Sequence, residues 1–242
     1  MQVLIFESKQ ELSKFVAEFV IAHIKKVFDQ KNRSFVLATP TGGSVLDAYK
    51  ELSELGRKNT DIDWKNVHTF ALDEYCLRAT NFTDSYKYFL KKNLLDNLPL
   101  PEENKNFLNY LADDLNQECK RYESKIEVLG NFDLFIGGIG RNGHIAFNEP
   151  PITKDSKCRI VELAHSTIEA NKRFFNSTSE VPTRAMTIGF KIILKSKLIL
   201  LIMNKFYVHF EVFLEIAVQQ TLSLSYMALD LELGRQKKDC LL

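Results

Sequence analysis

Cysteine is scarce in this 242-residue sequence, and its four cysteines form no recognisable cluster. No two of them make a C-x-x-C pair, and none lies at metal-ligand spacing from a histidine. The sequence therefore predicts no zinc site and no other bound metal. Thiols without a pairing pattern are typical of a reducing compartment, so we expect a cytoplasmic protein with free thiols. The four are Cys76, Cys119, Cys158 and Cys240.

Long hydrophobic runs and a dominant sign of charge are absent as well. The most apolar stretch, residues 192–203, contains Lys195 and Lys197 and falls short of the roughly 20 apolar residues that a membrane helix needs. The first residues lack the basic and apolar segments of a signal peptide. Lys and Arg total 32 against 31 Asp and Glu, which gives no global field for nucleic acid or a membrane surface. We therefore expect a small-molecule partner, with no nucleic acid and no membrane involved.

Helical and strand-like patterns alternate along the chain, and 45% of the residues are hydrophobic, enough for a sizeable core. Repeated strand–loop–helix units with short loops predict an α/β fold, with a doubly wound, mostly parallel sheet and helices on both faces (Rossmann-like). Because no linker or repeat interrupts the pattern, we expect one domain over residues 1–242. Helices are predicted over 9–28, 44–55, 84–95 and 113–129, and buried strands over 34–38, 66–72, 132–136 and 198–203.

Three polar clusters directly follow predicted strands, where such sheets bind their ligands. The first comprises Thr41, Gly42, Gly43 and Ser44. Its glycines allow close backbone approach, and the following helix start presents N–H groups to an anion. The alternative is a tight turn with Ser44 as the N-cap. The cluster is neither a Walker A loop nor a G-x-G-x-x-G fingerprint.

The second cluster, Asp73 with Glu74, could supply a general base, because crowding and burial raise a carboxyl pKa. A solvated acidic loop is the alternative interpretation. The third is the glycine-rich stretch 138–150, where His144 and Glu149 could form a proton shuttle oriented by a carboxylate.

Four motifs in this order resemble the glucosamine-6-phosphate deaminase (isomerase) family. They are PTGGS at 40–44, FALDEY at 70–75, GIGRNGHIAFNEP at 138–150 and ANKRFF at 170–175, and the similarity extends over roughly residues 1–203. The resemblance implies a sugar-phosphate isomerase type of fold. It also implies conversion of glucosamine 6-phosphate and water to fructose 6-phosphate and ammonia, without a cofactor.

The resemblance also implies roles for individual residues. Asp73 matches the base that moves a proton between C1 and C2. His144 matches the residue that opens the sugar ring, with Glu149 as its partner. Asn142 would support His144, because an amide cannot take up a proton at neutral pH. The phosphate group would bind the turn of residues 41–44 and Arg173, although Arg173 could instead be an ordinary exposed helix residue.

The family pattern breaks after residue 203. Where family members carry a phosphate-binding lysine, an ungapped alignment places Val208, and Lys205 lies three residues earlier as a possible replacement. Residues 204–242 are atypical for the family. Two alternatives therefore stay open: a 6-phosphogluconolactonase-like hydrolase, which has no need of the Asp73 base, and a catalytically impaired sugar-phosphate-binding protein. A homo-oligomer is also possible, since members occur as monomers and as hexamers.

Overall fold

The structure, a computed structural model, describes residues 2–31, 33–76, 82–140, 143–151, 153–172, 175 and 180–203, and the backbone of 226–230. Within these residues the six α-helices are α1 (Lys9–Lys31), α2 (Leu46–Lys58), α3 (Tyr86–Asn93), α4 (Leu115–Val128), α5 (His165–Asn171) and α6 (Phe190–Leu194). In this described part of the chain, no helix is long and apolar enough to span a membrane.

Ten strands form two sheets in the described residues. The larger sheet is parallel throughout, in the order β1-β10-β9-β6-β2-β3-β5, and the smaller is antiparallel, in the order β4-β8-β7. The strands are β1 (Gln2–Phe6), β2 (Phe35–Thr39), β3 (Val67–Ala71), β4 (Asp73–Tyr75), β5 (Lys105–Asn106), β6 (Leu134–Gly138), β7 (Arg159–Glu162), β8 (Arg184–Thr187), β9 (Ile199–Met203) and β10 (Tyr226–Asp230).

The two faces of the large sheet are covered by different helices, because successive strand residues point to opposite faces. In β2, Phe35 and Leu37 pack in one cluster with α1, α2 and α3, whereas Val36 and Ala38 pack in a second with α4 and α6. All five residues of β2 are buried, as expected for a strand covered on both sides. The predicted doubly wound α/β class is confirmed.

All eight predicted helices and strands are present, with ends shifted by a few residues. The small antiparallel sheet, strands β1 and β5, and helices α5 and α6 were not predicted. Strand β10, in the region 204–242 that is atypical for the family, pairs in parallel with β1 on one side and β9 on the other. This part of the atypical C-terminal region therefore contributes to the main sheet.

The junction of the two sheets positions the site. Strand β3 ends at Ala71, Leu72 follows, and the chain enters β4 at Asp73. Strand β4 pairs with β8, so that Asp73 lies opposite Thr187. Asp73 is therefore held at the carboxyl edge of the parallel sheet, where the predicted ligand site lies.

Candidate active site

A cavity of about 440 Å³ lies beyond the carboxyl ends of β2, β3 and β6. It brings together residues from all three predicted clusters, namely Thr41, Gly42, Gly43, Ser44, Asp73 and His144. Glu149 is not among the lining residues and lies next to His144. Three other predicted site residues, Asn142, Arg173 and Lys205, lie outside the described part of the chain.

The turn after β2 has the backbone that its glycines predict. Gly42 has φ of +112°, in the left-handed region that favours glycine. The helix that follows begins at Leu46 with Val45 as its N-cap, so the alternative of Ser44 as the N-cap is wrong. The Tyr49 hydroxyl, from α2, donates a hydrogen bond to the Pro40 carbonyl and fixes the start of the turn. Ser44 is left to line the cavity.

Asp73 and Glu74 lie on opposite faces of β4, because side chains alternate along a strand. Asp73 faces the cavity and is 7% exposed. The Glu74 carboxylate instead accepts hydrogen bonds from the backbone N–H groups of Tyr75 at 3.0 Å, Tyr86 at 2.9 Å and Lys87 at 2.9 Å. Glu74 thus anchors the start of α3, and only Asp73 can reach a molecule in the cavity.

Burial sets the ionisation of both carboxyls. Burial, with a smaller contribution from the Glu74 charge, raises the pKa of Asp73 well above its usual range. Burial also raises the pKa of Glu74 to about 7, against the opposing effect of its three backbone hydrogen bonds. A raised pKa makes the Asp73 carboxylate a stronger base than an exposed aspartate, which suits removal of a proton from carbon.

The loop after β6 folds closely around His144. Gly140 N–H donates to the His144 carbonyl at 2.8 Å, and Gly143 N–H donates to the Gly140 carbonyl at 3.0 Å. A Cβ atom on Gly140 would lie 2.1 to 2.4 Å from atoms of the imidazole ring. Glycine is therefore required at residue 140 for the ring to occupy this position.

His144 is paired with Glu149 across the loop. Its Nδ1 lies 3.8 Å from Glu149 Oε1, an ion-pair distance longer than a hydrogen bond. Glu149 is itself fixed by the Ala164 N–H at 2.8 Å and by the Thr167 hydroxyl, both at the start of α5. Burial lowers the pKa of His144, and the Glu149 charge partly offsets that effect. The imidazole is therefore mainly neutral at pH 7 and can accept a proton.

Comparison with known proteins identifies the family. Residues 7–205 match the family model of glucosamine-6-phosphate isomerases and 6-phosphogluconolactonase. The chain belongs to this family. The predicted family resemblance is confirmed.

Relatives within this isomerase and lactonase family cover most of the chain. The glucosamine-6-phosphate deaminase of Dictyostelium discoideum is 40% identical over 208 residues, which is 84% of this chain and 78% of that protein. The one of Thermoanaerobacter sp. (strain X514) is 42% identical over 202 residues, with the same coverage.

Solved structures extend the comparison over nearly the whole fold. A monomeric glucosamine-6-phosphate deaminase is 30% identical, with a TM-score of 0.86, and the match covers 98% of this chain and 100% of that one. A 6-phosphogluconolactonase from Thermotoga maritima has a TM-score of 0.70 at 17% identity, over 95% of this chain and 99% of that one, which supports the shared fold alone.

Sequence reasoning missed one wall of the cavity in this family member. Tyr75, Tyr86, Phe147 and Asn171 line it and come from β4, α3, the loop after β6 and α5. Tyr75, Phe147 and Asn171 lie within the motifs that carry the family resemblance, whereas Tyr86 lies outside them. Tyr75 also follows Asp73 by two residues and so shares its face of a strand.

No metal site is found among the residues that the structure describes, where no group of three His, Cys, Asp or Glu side chains could hold an ion. Cys76, Cys119 and Cys158 are free thiols.

Proposed function

We propose that this chain converts glucosamine 6-phosphate and water to fructose 6-phosphate and ammonia, in amino-sugar catabolism. One observation carries the proposal: a buried carboxylate, Asp73, shares one cavity with a separate proton carrier, the His144–Glu149 pair. Isomerisation of an aldose needs both groups, because one proton moves between carbons and another moves at the ring oxygen. Relatives named as deaminases at 40% identity and above support the same reaction.

Ring opening is assigned to His144. Its imidazole, with Nδ1 facing Glu149, would accept the proton of the C1 hydroxyl and return it to the ring oxygen. The C1–ring oxygen bond breaks, and the open-chain aldehyde forms. The Glu149 carboxylate holds the imidazole in place and stabilises its protonated form during the transfer.

Isomerisation and deamination are assigned to Asp73. Its carboxylate removes the proton from C2 to give an enolamine, and returns a proton to C1 to give an imine at C2. Water then adds to C2 and the nitrogen leaves as ammonia, which yields fructose 6-phosphate. These steps need no organic cofactor.

The phosphate group is assigned to the turn of residues 41–44, whose backbone N–H groups precede α2. Binding the substrate at this nonreacting end orients C1 and C2 toward Asp73. Arg173 and Lys205 stay predicted phosphate contacts, and Asn142 a predicted support for His144. A cytoplasmic location and a homo-oligomer also stay predictions.

A side-by-side assay tests the proposal. We expect ammonia and fructose 6-phosphate in equal amounts from glucosamine 6-phosphate, and no hydrolysis of 6-phosphogluconolactone above the uncatalysed rate. Lactone hydrolysis without ammonia release would establish the hydrolase alternative instead. Binding of glucosamine 6-phosphate without turnover would establish the sugar-phosphate-binding alternative.

The pH dependence of the reaction tests the role of Glu149. Below the pKa of His144 the imidazole is protonated and cannot act as a base, so kcat/KM falls on the acid side. Because the Glu149 charge raises that pKa, Glu149→Gln lowers it further. We expect the acid limb of kcat/KM to move to lower pH, and kcat at its optimum to fall about tenfold from lost orientation.

Thr167→Val is the matched variant for this experiment. It removes the hydroxyl that donates to Glu149 but keeps the Glu149 charge beside His144. The acid limb of kcat/KM should therefore stay in place. An acid limb that moves equally in both variants would contradict an electrostatic role for Glu149.

A further inference from the structure

Tyr75 presents its side chain to the same cavity as Asp73. The two residues are separated by one position in β4, and side chains two residues apart lie on one face of a strand. Both line the cavity, while the intervening Glu74 points away toward α3. The strand therefore places a phenol next to the proposed base.

The Tyr75 hydroxyl oxygen accepts two hydrogen bonds. The Tyr86 hydroxyl donates to it at 3.1 Å, and the Asn171 side-chain amide donates at 2.9 Å. A phenol oxygen that accepts twice still has its own proton to donate. Within the described ranges, no acceptor for that proton is found, so the donor remains available to a molecule in the cavity.

The ring of Tyr75 is held rigidly. Its centroid lies 4.7 Å from that of Tyr86, 5.8 Å from that of Phe147 and 5.8 Å from that of Phe175. Burial raises the pKa of Tyr75 to about 12, so the hydroxyl keeps its proton throughout the neutral range. A fixed, protonated phenol beside a base is suited to orienting a substrate rather than to moving protons.

The substrate offers few oxygens for this contact. With C1 and C2 at Asp73, the ring oxygen at His144 and the phosphate at the turn of 41–44, the C3 and C4 hydroxyls are left. We propose that Tyr75 donates a hydrogen bond to one of these two hydroxyl oxygens and so positions the sugar for proton transfer at Asp73. This inference rests on the proposed function.

Tyr75→Phe tests the proposal, because it removes the hydroxyl and keeps the aromatic packing. We expect kcat/KM for glucosamine 6-phosphate to fall about tenfold, the value of one lost hydrogen bond in a closed site. The 3-deoxy and 4-deoxy analogues are then assayed as substrates of both proteins. For one of the two analogues, kcat/KM should be nearly the same with the wild-type and the Tyr75→Phe protein. The missing oxygen in that analogue is then the partner of Tyr75.

Tyr122→Phe is the matched control. Tyr122 is also fully buried, but its hydroxyl donates to the carbonyls of Ala71 and Asn106 and is not part of the cavity wall. It should lower the melting temperature without changing the preference between the substrate and its deoxy analogues. A Tyr75→Phe protein with unchanged kcat/KM, or with the same loss on all three sugars, would overturn the proposal.

Failure of the proposed function is a separate outcome, visible in the wild-type chain as an absence of ammonia release. In that case the Tyr75 contact is measured by calorimetry with glucose 6-phosphate and its 3-deoxy and 4-deoxy analogues. The contact would be supported if the Tyr75→Phe chain bound glucose 6-phosphate more weakly than the wild type did, while both chains bound one of the two deoxy analogues equally. Equal affinities of both chains for all three sugars would refute it.

Discussion

Replacing Asp73 by asparagine will lower kcat for ammonia release by about 10³-fold, because an amide cannot remove the C2 proton. The folded protein should not lose stability with this substitution. Burial raises the pKa of Asp73 in the folded state, so ionising it opposes folding increasingly as the pH rises above the unfolded pKa. The neutral asparagine removes that penalty. We therefore expect a melting temperature that is equal at pH 4 and higher than that of the wild type at pH 8.

Glu74→Gln is the matched control, one residue further along the same strand. Its new amide NH₂ group would replace a carboxylate oxygen that accepts a hydrogen bond from the backbone, so the start of α3 loses part of its anchor. Loss of a buried acceptor costs about 1–3 kcal/mol, so the melting temperature should fall. Most of kcat should remain. If both substitutions reduced kcat equally, Asp73 would not be distinguished as the base.

Asp73 and Glu74 show what the local sequence pattern could predict about the site and what it could not. Two adjacent acidic residues after an apolar strand were both candidates for a base. Which of the two faces the cavity depends on the three-residue strand β4. Its pairing with β8, in a register that places Tyr75 opposite Ala185, fixes the direction of both side chains. No local pattern predicts that contact, because the two partners are more than a hundred positions apart and β4 is too short to show an alternation.

The central strands of the main sheet were easier to predict than its edge strand β1, because their burial is visible in the local sequence. Strands such as β2 and β9 are buried at all five positions and appear as apolar runs. At the edge strand β1, Val3 and Ile5 are 43% and 54% exposed, so hydrophobicity there does not mark a buried face. The contact between Asn171 and Tyr75, 96 residues apart, also arises only from the assembled fold.

A buried carboxylate at the amino ends of the strands, on the side of the sheet away from the cavity, holds three strands together. Asp133, just before β6, has a side chain that is 2% exposed. It accepts hydrogen bonds from the Arg33 guanidinium, from the Val36 N–H at 3.0 Å and from Lys197 Nζ at 2.8 Å. These partners lie at the starts of β2 and β9. One side chain therefore joins the amino ends of β2, β6 and β9.

Asp133→Asn should lower the free energy of unfolding by about 3 kcal/mol at pH 7, because a buried acceptor of several charged and backbone donors is lost. Burial alone would raise the pKa of Asp133, but the hydrogen bonds from Arg33, Lys197 and Val36 outweigh it and lower the pKa. A lowered folded pKa contributes stability above the unfolded value, about 3.9, and that stability is lost as the pH falls through the folded pKa. The difference between the two proteins should therefore be constant from pH 5 to 7 and shrink below pH 4.

Urea unfolding of the Asp133→Asn and Asp47→Asn variants compares the loss in free energy of unfolding at a buried aspartate with the loss at an exposed one that also pairs with a lysine. Asp47 also pairs with a lysine, Lys9, at 2.6 Å, but its side chain is 55% exposed, so its loss should change stability by no more than about 0.5 kcal/mol. Because Asp133 is far from the cavity, kcat per folded molecule should be unchanged in that variant. Equal losses in the two variants, or a difference for Asp133→Asn that persists undiminished to pH 2, would contradict the assignment. Equal small losses would mean that apolar packing holds the strand starts without the carboxylate, and a difference that persists to pH 2 would mean that its ionised form is not what stabilises them.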